Sequence, residues 1–148
     1  MDEFLMKAVD LAKQNVDEGG HPFGAVLVKE GTIISEGVNE LHVKHDASGH
    51  AEMLAVRRAQ MELETDDLSE CVMYASGEPC PMCFAVMQYA GIQKVYFAET
   101  SEEAARVGLS KGKEIYEDLQ RSKELRTFRM EHHPLSGETA MERFYNKR

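Results

Sequence analysis

The chain has 148 residues, of which 43% are hydrophobic and 29% are charged, so it fits one domain, 1–148, with a core large enough to fold without disulfide bonds. This composition excludes a disordered or collagen-like protein. The 17 basic and 26 acidic side chains give a net charge of −9, which disfavours binding to nucleic acid or to an acidic membrane surface. Residues 121–148 hold 7 basic and 4 acidic side chains, so the carboxyl-terminal segment is basic.

No part of the sequence has the pattern of an export signal or a membrane span. The amino terminus opens with acidic residues, and the longest stretch without a charged side chain, Pro79–Gln93, is interrupted by Pro, Cys, Gln and Gly. We therefore expect a cytoplasmic protein that does not enter a membrane. Three cysteines is an odd number for a disulfide framework, and this favours metal or thiolate chemistry.

Apolar periodicity predicts the elements of the first half of the chain. Apolar residues from Phe4 to Val16 recur at three- and four-residue spacing and predict a helix that ends at Gly19-Gly20. Two apolar runs on either side of Glu30-Gly31 predict a β-hairpin. After a polar loop, strong helix formers predict a second helix over 51–64.

The second half alternates strands and helices, which predicts an α/β fold with helices on both faces of a sheet. Residues 71–76 predict a strand buried on both faces, 80–89 a helix that begins near Pro81, and 95–98 another buried strand. The pattern is weaker beyond Thr100. There it indicates a charged helical stretch over 101–120, a strand over 126–131 and a terminal helix from about Ser136.

Two short segments carry residues suited to metal chemistry. His50-Ala51-Glu52 stands at the start of the second predicted helix, and Pro79-Cys80-Pro81-Met82-Cys83 at the start of the third. Zinc prefers thiolate and imidazole ligands, and a Cys-x-x-Cys on a first helical turn places two sulfurs on one side of the helix. We therefore predict a zinc site formed by His50, Cys80 and Cys83.

Three protein ligands leave a fourth position open for water, which indicates a catalytic zinc site rather than a structural one. Zinc-bound water ionises near neutral pH and would be the nucleophile. Glu52, two residues after the metal-binding histidine, is placed to shuttle its proton. Cys71 lies in a predicted strand and is expected to be a buried hydrophobic residue without a zinc ligand role.

These motifs resemble the zinc-dependent cytidine and deoxycytidylate deaminase superfamily. The resemblance covers most of residues 1–100, and within it residues 22–26, 36–39 and 75–83 are most similar to bacterial guanine deaminases. It implies a three-layer α/β/α sandwich with a central five-stranded mixed sheet, a homodimer, and hydrolytic exchange of an exocyclic amine for oxygen. It also implies one zinc ion per chain, and a carboxyl-terminal segment, about 121–148, that covers the active site or the partner subunit.

The resemblance assigns further roles at the substrate side of the site. Asn39 would recognise the base through its amide, Phe23 would pack against an aromatic ring, and Ala51 would offer its backbone N–H. Asn39 also follows Gly37 closely enough to be only a turn residue. Guanine deaminases grip guanine with a carboxylate near the segment that here is 108–114, and we assign no residue of this segment to that role.

The resemblance to bacterial guanine deaminases makes guanine, converted to xanthine and ammonia, the favoured substrate, with cytosine, isocytosine or an aminotriazine as alternatives. The acidic charge favours a free nucleobase over tRNA, although a tRNA adenosine deaminase shares the motifs. A third hypothesis from another class is a non-catalytic, zinc-stabilised binding domain. Three ligands instead of four argue against it.

Overall fold

The computed structural model describes residues 2–147, so Met1 and Arg148, the two ends of the predicted domain, lie outside the described residues. The chain divides into two compact units at the boundary between Glu117 and Asp118. That the whole chain is one domain stays a prediction. That segment 121–148 covers the active site or the partner subunit also stays a prediction.

The first unit is built from helices and strands that follow each other along the chain. They are α1 (Asp2–Asp17), β1 (Gly24–Lys29), β2 (Thr32–Val38), α2 (Ala51–Leu63), β3 (Cys71–Gly77), α3 (Pro81–Tyr89), β4 (Val95–Glu99), α4 (Ser101–Arg106) and α5 (Lys111–Gln120), the last of which runs on into the second unit.

The strands form a mixed sheet in the order β2-β1-β3-β4. β1 pairs antiparallel with both β2 and β3, and β3 pairs parallel with β4. The predicted hairpin is confirmed: Lys29 pairs with Thr32 across a two-residue turn, in which Glu30 and Gly31 have φ of 49° and 77°. Positive φ at both positions matches the right-handed twist of the two strands.

Helices lie on both faces of this sheet, as predicted, and the alternation of side chains along the strands explains why. Val26, Val28 and Tyr74 face α1 and pack against its apolar side chains, including Phe4 and Leu5. The intervening residues Ala25, Leu27 and Met73 face the other way and form the main core with α2 and α3. The α/β class is confirmed.

The predicted fifth strand is wrong for the part of the chain that the structure describes, where the sheet has four strands. Residues 126–131 form no strand because the backbone N–H groups of Thr127 and Phe128 donate to the carboxylate of Asp118 at 2.7 and 3.4 Å instead of to a ladder. β4 therefore ends the sheet. It is half-buried at Val95 and exposed from Phe97 onward, so the prediction that it is a buried strand is also wrong.

The predicted helical stretch 101–120 is interrupted. Gly108 has a φ of 91°, a left-handed conformation that ends α4 and separates it from α5. The second unit contains a short 3₁₀ helix at Lys123–Leu125 and a terminal helix, α6 (Ala140–Asn146). The terminal helix is confirmed, and it begins where Thr139 and Glu142 form a capping box. In residues 2–147 no helix combines the length and the apolar character needed to cross a membrane.

A glycine in β2 lets the start of α2 lie directly on the sheet. A Cβ at Gly37 would collide with the carbonyl oxygen of Ala51 and would lie 3.1 Å from the backbone nitrogen of Ala55. Both atoms belong to helix backbone, which cannot move like a flexible side chain. The absence of a side chain at position 37 therefore fixes how closely the first turn of α2, with His50 and Glu52, approaches the strands.

We expect Gly37→Ala to lower the free energy of unfolding by about 1–3 kcal/mol, because overpacking must push α2 off the sheet. Chemical denaturation monitored by circular dichroism measures this loss. Glu36→Ala, the neighbouring position, removes only an exposed ion pair with Lys7 and should cost under about 0.5 kcal/mol. Equal costs for the two variants would contradict the close contact.

Candidate functional site

Two helix starts meet at the candidate site. His50 is the N-cap residue of α2 and Cys80 is the N-cap residue of α3, and Cys83 lies in the first turn of α3. The nitrogen and sulfur atoms of these three side chains lie within 4.8 Å of one another. Sequence analysis had predicted these three residues as zinc ligands, and the structure brings them together.

The separations between these atoms fit zinc. His50 Nδ1 lies 3.4 Å from Cys80 Sγ and 3.8 Å from Cys83 Sγ. In a tetrahedral site with Zn–S bonds of about 2.3 Å and Zn–N bonds of about 2.0 Å, ligand atoms are about 3.5–3.8 Å apart. The donor set is one imidazole and two sulfurs, which zinc prefers. Both distance and chemistry therefore suit a zinc ion bound by three protein ligands.

Of the two cysteines in this cluster, Cys80 is the more readily deprotonated. Hydrogen bonds with Cys83 and His50 lower the pKa of the Cys80 thiol to about 4. The shared hydrogen bond with Cys80 and burial raise the pKa of the Cys83 thiol, and the hydrogen bond with Cys80 raises the pKa of His50. Without a metal the pair therefore carries one thiolate, on Cys80, and binding of a cation would favour loss of the proton from the Cys83 thiol. Cys71, in β3, lies outside this cluster.

Glu52 lies in the first turn of α2, and its side chain is only 6% exposed. Burial raises the pKa of its carboxyl group to about 7, with smaller contributions from Cys80 and other neighbours. A carboxyl group with a pKa near the ambient pH exchanges a proton easily in both directions, which is the property required of a proton shuttle. The predicted catalytic role of Glu52 stays a prediction that this burial supports.

The structure also places the predicted substrate-side residues. The ring of Phe23 packs on the core, and a Cβ at Gly77, the end of β3, would lie 3.0 Å from that ring. Asn39 is buried, and its Oδ1 accepts a hydrogen bond from the Leu41 backbone N–H at 3.0 Å, so it does form a turn. Ala51 begins α2, where the N–H groups of a helix lack internal acceptors. Contacts of these residues with a substrate stay predictions.

The loop before α3, residues 78–80 (the cysteine loop), is held by residues that the sequence pattern does not single out. The hydroxyl of Tyr116 in α5 donates to the Pro79 carbonyl oxygen at 2.7 Å, and Glu78 accepts a hydrogen bond from the Ser101 backbone N–H at 2.9 Å. A Cβ at Gly112 would lie 3.2 Å from the Cβ of Cys80, so α5 lies against this loop. Nothing in the spacing of these residues signals the contact, because it depends on the tertiary packing of α5.

Comparison with known proteins identifies the family. The model of the family described as "Cytidine and deoxycytidylate deaminase zinc-binding region" matches residues 1–99 of this chain. The chain belongs to the cytidine and deoxycytidylate deaminase family. The resemblance noted in the sequence is therefore confirmed, and so is zinc as the cofactor of this deaminase, since the matched region contains all three residues of the metal-binding group.

Individual relatives of this deaminase agree with the assignment. This chain is 41% identical over 125 residues to guanine deaminase from Bacillus subtilis, and the match covers 84% of this chain and 80% of that enzyme. An X-ray structure of guanine deaminase from Bacillus subtilis has a TM-score of 0.91, with 35% identity, and the match covers 99% of this chain and 93% of the other. This chain is also 41% identical over 95 residues to a tRNA-specific adenosine deaminase from Aquifex aeolicus, and the match covers 64% of this chain and 63% of that enzyme.

We expect Cys83→Ala to lose zinc and to lower the melting temperature, because a bound metal contributes free energy of folding. Metal analysis by mass spectrometry measures the zinc content, and differential scanning calorimetry measures stability. Cys71→Ala is the matched control: it also removes a buried thiol but should retain one zinc ion per chain. Full zinc content in Cys83→Ala would overturn the ligand set.

Proposed function

We propose that this deaminase acts on a free nucleobase and that guanine is its substrate, converted with water to xanthine and ammonia. One geometric fact supports the chemistry: the buried carboxyl group of Glu52 lies two residues from His50, at the helix start where imidazole and two sulfurs converge. The Bacillus subtilis guanine deaminase at 41% identity supports the substrate. The net charge of −9 supports a small substrate over tRNA.

The reaction divides between the metal and the residues of the chain. His50, Cys80 and Cys83 would hold zinc, which would act as a Lewis acid and lower the pKa of water so that it can attack at neutral pH. Glu52 takes one proton from the attacking water and passes it to a ring nitrogen. It then takes the proton of the added hydroxyl group and passes it to the departing amine, so that guanine and water give xanthine and ammonia. Burial raises the pKa of this carboxyl group to about 7, so it can both accept and release a proton at neutral pH.

The remaining residues would bind and orient the base. Phe23 presents an aromatic ring for packing against the heterocycle, and the N–H of Ala51 is positioned at the start of α2. The Oδ1 atom of Asn39 accepts one hydrogen bond from Leu41, so a contact of Asn39 with the base would use its Nδ2 group or the second lone pair of Oδ1. A homodimer and a cytoplasmic location belong to the same proposal.

A second candidate is deamination of another aminated heterocycle, and the geometry of α5 favours it. Gly112 and Tyr116, one helical turn apart, mark the face of α5 that lies on the cysteine loop. Glu114, halfway between them, is exposed and accepts a hydrogen bond from Ser110 at 2.5 Å. Its carboxylate therefore lies on the side of α5 that faces away from the cysteine loop. It is not placed to bind the amidine edge of a guanine held beside that loop.

Glu52→Gln tests the chemistry. We expect it to keep one zinc ion per chain and its fold but to lose about 10²–10⁴-fold in kcat, because an amide cannot carry the proton. Release of ammonia from guanine, coupled to a spectrophotometric assay, measures the rate. Glu62→Gln, the same change on the exposed end of α2, should leave kcat unchanged. Activity in Glu52→Gln equal to that of the wild type would exclude this mechanism.

A substrate panel tests the choice between the two candidates. We expect ammonia release from guanine with kcat/KM at least about 100-fold above that for adenine, cytosine, isocytosine and an aminotriazine, since polar groups left unpaired in the site reject the wrong base. Turnover of cytosine, isocytosine or an aminotriazine without turnover of guanine would instead support the second candidate. Turnover of a tRNA anticodon stem-loop alone would overturn both.

A further inference from the structure

The buried polar side chains of the protein point to one residue that the chemistry does not use. Among residues 2–147 four polar or charged side chains are buried: Asn15, Asn39, Glu52 and Ser76. Burial of a polar group is unfavourable unless it is hydrogen-bonded, so each such residue needs a structural or chemical reason. Glu52 and Asn39 already have predicted roles in the site. Asn15 lies in the last turn of α1, on the opposite face of the sheet from α2 and α3.

The amide group of Asn15 joins two loops. Its Nδ2 atom donates to the carbonyl oxygen of His21 at 2.8 Å and to the carbonyl oxygen of Asn39 at 2.9 Å. An asparagine NH₂ group has two donors, so these two bonds use both of them. One carbonyl belongs to the loop that follows α1, and the other belongs to the residue that follows β2. This side chain therefore bonds to both loops at once.

These loops carry the two side chains predicted to contact the base. Phe23 stands two residues after His21, and its carbonyl oxygen accepts a hydrogen bond from the Asn39 N–H at 3.1 Å. Ser76 in β3 accepts a hydrogen bond from the Gly24 N–H at 3.0 Å and so fixes the far end of the same loop. Phe23 and Asn39 thus belong to one hydrogen-bonded unit in which Asn15 is the central donor.

The backbone passes directly over this amide. A Cβ at Gly20 would lie 2.5 Å from Asn15 Nδ2 and 2.5 Å from the ring of His42, so a side chain at position 20 would displace both of them. The glycine is therefore needed for close approach. Two separate features of the sequence, an asparagine at the end of α1 and a glycine five residues later, serve the same contact.

We propose that Asn15 is a positioning residue that sets the placement of Phe23 relative to Asn39 and thereby the affinity of the site for its heterocyclic substrate. The assignment rests on the proposed function. Asn15 acts through the two loops and does not touch the reacting atoms. Its loss should weaken binding of the base and leave the metal site and the proton shuttle of Glu52 intact.

The test compares Asn15→Leu, which keeps a similar volume but removes both donors, with Ser35→Ala. Ser35 in β2 also donates from a partly buried side chain to a backbone carbonyl oxygen, that of Ala55 at 2.7 Å, but away from the two loops. We expect Asn15→Leu to raise KM for guanine about tenfold or more, with kcat within about threefold of the wild type, as the loss of substrate contacts implies. Ser35→Ala should leave both constants within about twofold.

Hydrogen exchange measured by mass spectrometry gives a readout that does not depend on turnover. In Asn15→Leu the amides of residues 20–24 and 39–42 should exchange faster than in the wild type, while those of β3 and α3 should not. Zinc content should stay at one ion per chain. Gly20→Ala pushes the Asn15 amide aside instead of removing it, so it should raise KM and speed hydrogen exchange in the same loops. It replaces Asn15→Leu in the test if that variant does not fold.

Three kinetic results would each overturn this role: an unchanged KM in folded Asn15→Leu, an equal rise of KM in Ser35→Ala, or a loss confined to kcat. Failure of the proposed function is distinguishable, because the wild type would then not deaminate guanine. In that case the KM comparison moves to whichever heterocycle of the panel the wild type does turn over. Unchanged exchange in both loops would still overturn the positioning role.

Discussion

The meeting of two helix starts is the constraint on which the rest of the structure depends. His50 and Cys80 are both N-cap residues, so the three metal-binding atoms can converge only if α2 and α3 begin side by side. The backbone of β2 makes this possible by accepting the first turn of α2 against Gly37. The positive ends of two helix dipoles then face the thiolates, which favours the charge that zinc binding requires.

Burial gives this site its chemistry. The carboxyl group of Glu52 is excluded from water by the same packing that brings the helices together, and its pKa is raised to about 7 as a direct result. An exposed glutamate at the same place on a helix would be fully ionised at neutral pH and would be a poorer proton donor. Fold and reactivity are therefore coupled, because moving α2 outward would both spread the ligands and hydrate the carboxyl group.

The sequence predicted the local features well and the long-range ones poorly. Apolar periodicity located α1, the hairpin, α2, β3 and α3, and the spacing of His50, Cys80 and Cys83 predicted the metal-binding group, because each signal lies within a short segment. The number of strands was wrong: the family resemblance implied five and residues 126–131 were expected to form a strand, but the backbone N–H groups of Thr127 and Phe128 donate to Asp118. Asn15 and Tyr116 gave no signal. The Asn39 and Pro79 carbonyl oxygens to which they donate are 24 and 37 residues away, and any residue supplies a backbone carbonyl oxygen.

The long separations that join the substrate side of the site have a consequence for how the protein acquires activity during folding. The hydrogen bonds from Asn15 to Asn39 and from Gly24 to Ser76 close loops of 24 and 52 residues, and β1 pairs with β3 across the whole of α2. Such contacts form slowly because the entropy of a long loop must be lost before they stabilise anything. The ligand group itself spans 30 residues between His50 and Cys80. A nascent or partly folded chain therefore has no deaminase site, and the return of catalytic activity after denaturation reports completion of the tertiary structure rather than formation of the helices.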